Sequence, residues 1–191
     1  KVQSASTVVY LMGSIHLATQ DLYPLAESVT KAFEESSVLG VEANVLDVDE
    51  AMIQGLVVEK AVYTDGRSLK DEISPELLEL ARVRLQELGL PFEAFLVYKP
   101  WFVAMQLAAL KLGQLGFAAQ YGIDMHFLKQ AKGKKEVLEL EGIRSQIELL
   151  SSFDAQEQEL FLLYTVKNLD HYQQILDKLI AAWKAGDTAP I

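Results

Sequence analysis

The stretch Val8-Val9-Tyr10-Leu11-Met12, running into Gly13-Ser14-Ile15-His16, decides how the rest of the chain reads. Five apolar residues in succession predict a short buried strand. The strand supplies rigidity, Gly13 lets the backbone turn without a Cβ clash, and the His16 imidazole can bind a metal or move a proton. The chain has three histidines, His16, His126 and His171, so one placed at a strand end calls for an explanation.

Outward from that stretch, Tyr23-Pro24 opens a helix that turns Leu25, Val29 and Phe33 toward the core. Val38 to Glu42 reads as a second strand, completing a strand–helix–strand unit, which is parallel and right-handed as a rule. Beyond Asn44 the pattern turns helical, with Val48, Met52 and Leu56 on one face. Ser74-Pro75 starts a further helix, with serine in the capping position and proline in the first turn. Gly89 and Pro91 stop it. Trp101 to Leu115 is apolar on nearly every side and predicts a helix buried all round. Tyr121-Gly122-Ile123-Asp124 leads into a short helix, Lys132-Gly133-Lys134-Lys135 turns, and Glu136 to Leu140 reads as a third strand. Asp154 with Glu157 forms a capping box that opens the last helical region. There Leu169, Tyr172, Leu176, Leu179, Ile180 and Trp183 make one apolar stripe. The expected fold is α/β and helix-rich, a small, mainly parallel sheet flanked by helices. No internal repeat or linker divides it, so residues 1–191 read as one domain.

Bulk composition narrows the function. Half of the 191 residues are hydrophobic, enough for a sizeable core, and the net charge of −10 argues against nucleic acid as a partner. Without cysteine there is no disulfide framework and no thiol nucleophile. No apolar stretch reaches the roughly 20 residues that span a bilayer. The chain starts at Lys1 without a methionine, which suggests a processed product.

Sites in open parallel sheets form outside the carboxyl ends of the strands. The first strand presents His16 there and the second Glu42. The third presents Glu141, and the helix before it begins near Asp124 with His126 in its first turn. A crossover helix runs antiparallel to the strands, so His16, Glu42, Asp124, His126 and Glu141 fall on one rim. Imidazole with carboxylates is a ligand set for zinc, manganese or iron, and equally a general acid–base pair without metal. Each residue also has a plainer reading. His16 can cap the next turn, Glu42 can pair with a lysine or arginine, and Asp124 can cap its helix. His126 can be structural, and Glu141 can cap the helix starting near Ile143. His171 reads as surface, Arg144 as either surface or an orienter of a carboxylate, and Trp101 and Trp183 as core or its margin. No H-E-x-x-H, P-loop or G-x-S-x-G spacing is present.

At these residues the chain resembles the TraB/GumN family, which includes the Tiki proteins. Gly13-Ser14-Ile15-His16 matches the family's G-x-x-H motif, and Val41-Glu42-Ala43-Asn44 its glutamate after the second strand. Gly66, Ser68 and Leu69 match a glycine–leucine turn, and Lys99-Pro100-Trp101 a K-P-W step. Tyr121 to Leu128 matches a G-x-D segment, Leu140-Glu141 with Gln146 a strand ending in L-E, and Trp183, Gly186 and Asp187 a W-x-x-G-D step. The likeness runs along nearly the whole chain, carried by the order of the motifs.

The resemblance implies a fold shared with the Tiki proteins and erythromycin esterase. It implies a metal-dependent, peptidase-like hydrolase with His16 and Glu42 as catalytic and metal-binding residues, supported by Gly13, Asp124, His126 and Glu141. The cofactor would be a divalent ion, zinc, manganese or cobalt, and the partner a peptide or small-molecule substrate. A second copy of the chain is an open partner, because the amphipathic C-terminal helices can close a core or form a dimer face. The resemblance also implies export to the periplasm or cell surface. The family carries a second G-x-x-H motif near its C-terminus, after a segment with a functional arginine, and the sequence shows neither, so the expected domain is one that lacks its C-terminal part. The alternative is a non-catalytic module that sequesters a peptide signal or binds haem, a group bound by a related lipoprotein.

Overall fold

The computed structural model describes residues 1–187. The chain divides into two compact units, residues 1–46, 116–140 and 174 onward in the first, and residues 47–115 and 141–173 in the second.

The first unit carries the strands. Val38–Val41 and Glu136–Glu139 pair in parallel with Val38 opposite Glu136 and Val41 opposite Glu139. Leu140 extends the ladder by donating its N–H to the Val41 carbonyl at 2.9 Å. The expected first strand is much shorter and lies elsewhere. Only Val8–Val9 is strand, paired antiparallel with Val2–Gln3 in a separate ribbon. We label the strands β1 (Val2–Gln3), β2 (Val8–Val9), β3 (Val38–Val41) and β4 (Glu136–Glu139). The strand–helix–strand unit expected from residues 8–42 is therefore not formed, and β3 finds its parallel partner in β4, far along the chain. The physical reason is that apolar, β-branched composition favours an extended chain without naming its partner. Here Leu11 stays 76% exposed, and Val8, Val9 and Met12 are exposed as well.

Two helices flank this pair. Helix α1 (Glu27–Glu35) starts after Pro24 rather than at it, and turns Val29 and Phe33 inward four residues apart. Helix α6 (Ile123–Ala131) precedes β4, as expected, and ends at a turn in which Gly133 has φ +72°. The core holds Ala18, Leu22, Leu25, Ile123 and Phe127, with Ile180 and Trp183 packed against it.

The second unit is helical. It comprises α2 (Glu50–Ala61), α3 (Leu69–Glu72), α4 (Pro75–Glu87), α5 (Pro100–Gln114), α7 (Ile143–Ser151) and α8 (Ala155–Asn168). Helix α4 starts at Pro75 as the Ser74-Pro75 signal predicts, but the Ser74 side chain makes no cap bond. Its backbone N–H instead donates to Glu159 at 2.8 Å. The Asp154–Glu157 capping box is present at the start of α8. Leu69, Leu77, Leu85, Leu107 and Leu162 are fully buried at the centre. Helix α5 is one-sided rather than buried all round: Trp101, Val103, Ala104 and Leu107 face inward, whereas Met105 and Leu110 are exposed. The expected C-terminal stripe is interrupted by a 3-10 turn at Leu169–His171, after which α9 (Tyr172–Ala185) begins. The result is a helix-rich α/β protein with a small sheet. No helix among the described residues is long and apolar enough to cross a membrane.

Candidate functional site

The carboxyl end of β3 delivers Glu42, and the N-terminus of α6 delivers Asp124 to the same place. Parallel pairing of β3 and β4 explains why: α6 runs back along the sheet, so its first turn lies at the strands' carboxyl edge. The loop carrying His16 is fastened to that turn. Ile123 donates its N–H to the Ile15 carbonyl at 2.9 Å, and Ala18 and Ala118 bridge in antiparallel fashion. Gly122 sits so close to His16 that a Cβ there would lie 2.2 Å from the His16 carbonyl oxygen. The glycine of the G-x-D segment is thus required by close approach of two backbones. Upstream, the Trp183 indole N–H donates to the Gly13 carbonyl at 2.8 Å and holds the start of the loop.

Three sequence-predicted residues meet. His16 Nδ1 lies 2.7 Å from Asp124 Oδ2, and His16 Nε2 lies 3.4 Å from Glu42 Oε2. Ser14 donates its hydroxyl to the same Asp124 oxygen at 2.6 Å. The Asp124 side chain is 13% exposed, whereas His16 and Glu42 are 61% and 47% exposed. Asp124 is therefore the sheltered anchor and the other two face solvent. The Asp124 hydrogen bond raises the His16 pKa against the smaller, opposing effect of burial, and the two carboxylate charges add to the rise. Burial pushes Asp124 up, but hydrogen bonds from His16 and Ser14 outweigh it and leave that carboxyl below its ordinary value. Its place in the first turn of α6 adds a favourable helix dipole. Asp124 is not the cap of α6, since Gly122 holds the capping position.

The other candidates make contacts of their own. The His126 ring packs 4.7 Å from the Tyr23 ring and 5.0 Å from Phe127, and its Nε2 contacts the Gln130 amide. Burial first, and then Lys129, lowers its pKa. Glu141 belongs to the second unit, where its carbonyl accepts the Ser145 hydroxyl at 2.9 Å just before α7. His171 is exposed in its 3-10 turn. Arg144 reaches Glu148 at 3.6 Å on the surface. Trp101 is buried in the second unit, and its indole N–H has no partner among the described residues.

Sequence reasoning missed three supports: the Ser14 hydroxyl on Asp124, the Trp183 anchor on Gly13, and Glu139. The last accepts the Asn44 N–H at 2.6 Å and steadies the chain just past Glu42. Ser14 lay inside the quoted motif, but a serine between a glycine and a histidine does not announce a partner 110 positions away.

His16 and Glu42 are the donors that face outward. Among the described residues no group of three or more histidine, aspartate or glutamate side chains is arranged to hold a metal ion. The donor types suit a divalent cation, with one imidazole nitrogen and one carboxylate, while Asp124 is used in orienting the histidine. A carboxylate behind a histidine commonly fixes the tautomer of a metal ligand.

Fold and site together define a helix-rich α/β protein with a histidine clamped between two carboxylates at a strand end. The chain belongs to the TraB/PrgY/gumN family, whose model matches residues 1–191. It is similar to the uncharacterized protein YbaP of Escherichia coli (strain K12), 34% identical over 142 residues, which cover 74% of this chain and 51% of YbaP. The YbaP protein of Shigella flexneri matches to the same extent. The chain thus spans about half the length of these relatives. No solved structure matches.

Proposed function

We propose that the protein is a metal-dependent hydrolase of peptide bonds whose site is built on His16 and Glu42. The observation that supports this reading is the Asp124–His16–Glu42 line, with Nδ1 held at 2.7 Å and Nε2 directed at a solvent-facing carboxylate. Asp124, itself held by Ser14, accepts the Nδ1 proton and so leaves Nε2 as the ligating nitrogen. A divalent ion held by His16 Nε2 and Glu42 would supply Lewis acidity at that point. Two protein donors are one fewer than catalytic zinc sites generally use, so the reading requires a donor from outside the described residues. The steps that fall to this chain are positional and protonic. Glu42 takes the proton of a water whose oxygen attacks the peptide carbonyl carbon, and returns it to the departing amine as the carbon–nitrogen bond breaks.

The test is cleavage of quenched fluorescent peptides by the whole protein, with zinc, manganese or cobalt supplied in turn. Cleavage should require the metal, and His16→Ala should lower it about a hundredfold or more. Cleavage that ignores chelator, or survives unchanged in His16→Ala, overturns the reading. A second reading is capture of a ligand without turnover. The exposure of His16 and Glu42 among the described residues favours it, since hydrolytic sites commonly exclude water. Binding of peptide without cleavage under any metal would select it.

A further inference from the structure

The end of α9 is fixed by packing. Ile180 and Trp183, one turn apart on the same face, both pack against the core around Leu22 and Phe127. From that face the half-buried Trp183 indole N–H donates to the Gly13 carbonyl at 2.8 Å. The next residue, Lys184, donates its ammonium to the Asp21 carbonyl at 2.9 Å. The end of α9 is thereby joined to the chain on both sides of His16.

Packing does not hold Gly13 itself. A Cβ there would meet nothing within 4 Å, and Leu11 and Met12 before it are exposed. A glycine without steric confinement turns freely, so the start of the histidine loop takes its direction from hydrogen bonding. The consequence falls on the residues that follow. Ser14 and His16 both meet Asp124 Oδ2, at 2.6 and 2.7 Å. Ordinary hydrogen bonds of this kind end near about 3.2 Å, so a loop displaced by about 1 Å would lose both contacts.

We propose that Trp183 is a positioning residue for His16: its indole N–H fixes the Gly13 carbonyl, and through it the placing of the imidazole against Asp124 and Glu42. The role goes beyond peptide hydrolysis, since it holds whatever chemistry His16 performs. A hydrogen-bonding role, unlike a packing one, is lost when the donor alone is removed.

The whole protein made with benzothienylalanine in place of tryptophan keeps the shape of the ring and carries sulphur where the indole has N–H. Both tryptophans change, but the Trp101 indole N–H has no partner among the described residues, so the hydrogen bond removed is the one to Gly13. Trp183→Phe removes the same donor and keeps an aromatic ring in the packing. In mildly alkaline solution, where the imidazole is neutral, nitrogen magnetic resonance reads the His16 tautomer. The parent should hold the proton on Nδ1, and both altered proteins should move toward a mixture with Nε2, because a ring released from its carboxylate is no longer held in one tautomer. Amides of residues 14–16 should exchange with solvent about threefold to tenfold faster, the change expected for one hydrogen bond. An unchanged tautomer in the benzothienylalanine protein overturns the proposal, whatever its melting temperature or amide exchange, because Trp183 then acts by packing alone. A parent that already mixes the two tautomers overturns it as well. Peptide cleavage by the parent separates this role from the hydrolase reading. A shifted tautomer without metal-dependent cleavage would keep the role of Trp183 and remove the hydrolase, and metal-dependent cleavage with an unchanged tautomer would do the reverse.

Discussion

At the scale of single residues, His16 is a base under two opposing demands. The carboxylates beside it favour the imidazolium and raise its pKa, whereas ligating a metal needs the neutral ring. Since the folded pKa lies above the ordinary value near 6.5, the stabilising contact with Asp124 is fully present below that pH. It fades as pH rises through the raised value. Asp124 has the opposite sign: its depressed pKa means that its contribution is present above the ordinary carboxylate value near 3.8 and fades as pH falls through the lowered one. The pair is therefore best formed in mildly acid solution, and metal affinity should climb with pH on the alkaline side of 6.5. Asp124→Asn removes the largest cause of the rise, so the His16 ring should titrate at lower pH. Nuclear magnetic resonance of the ring protons reads this directly. An unchanged His16 titration in Asp124→Asn would contradict the orienting role.

At the scale of elements, the join between the histidine loop and α6 rests on Gly122. A methyl group there would fall inside the His16 carbonyl, a backbone atom with no rotamer to yield. Gly122→Ala should cost about 1–3 kcal/mol, as overpacking does, and should separate His16 from Asp124. Thermal melting reads the first effect and the His16 titration the second. A variant as stable as the parent, with an unmoved His16 pKa, would show that the close approach is relaxed in solution. The same elements show what the sequence made legible. The Ser74-Pro75 start, the Asp154–Glu157 box and strands β3 and β4 were readable because each rests on local chemistry or a bounded apolar run. The meeting of Glu42 and Asp124 follows from the strand-end rule applied to the parallel pair β3 and β4, whereas His16 arrives by its loop's backbone bond to α6 and not from the end of a sheet strand. Val8 to Met12 misled because a buried strand and an exposed apolar segment share a composition, and only the partner distinguishes them.

At the scale of the whole molecule, charge and donor count set the expectations. Seventeen basic residues against 27 acidic ones leave a net charge of −10, which disfavours approach to a phosphate backbone. Duplex DNA should not bind at physiological salt, which an electrophoretic shift assay decides. Metal binding is the sharper case. The described residues bring His16 and Glu42 together as outward donors, and no third histidine or acid joins them as a ligand group. Catalytic zinc generally takes three protein ligands and a water. Residues 1–191 by themselves should therefore hold zinc weakly, and a chelating dye of micromolar affinity should strip it. Glu42→Gln should weaken the remaining affinity, and His16→Ala should remove it. Because the chain spans about half of YbaP's length, the same titration on YbaP tests whether a longer relative holds the metal more tightly. Strong stoichiometric binding by residues 1–191 that persists in His16→Ala would place the metal elsewhere and separate it from the histidine loop altogether.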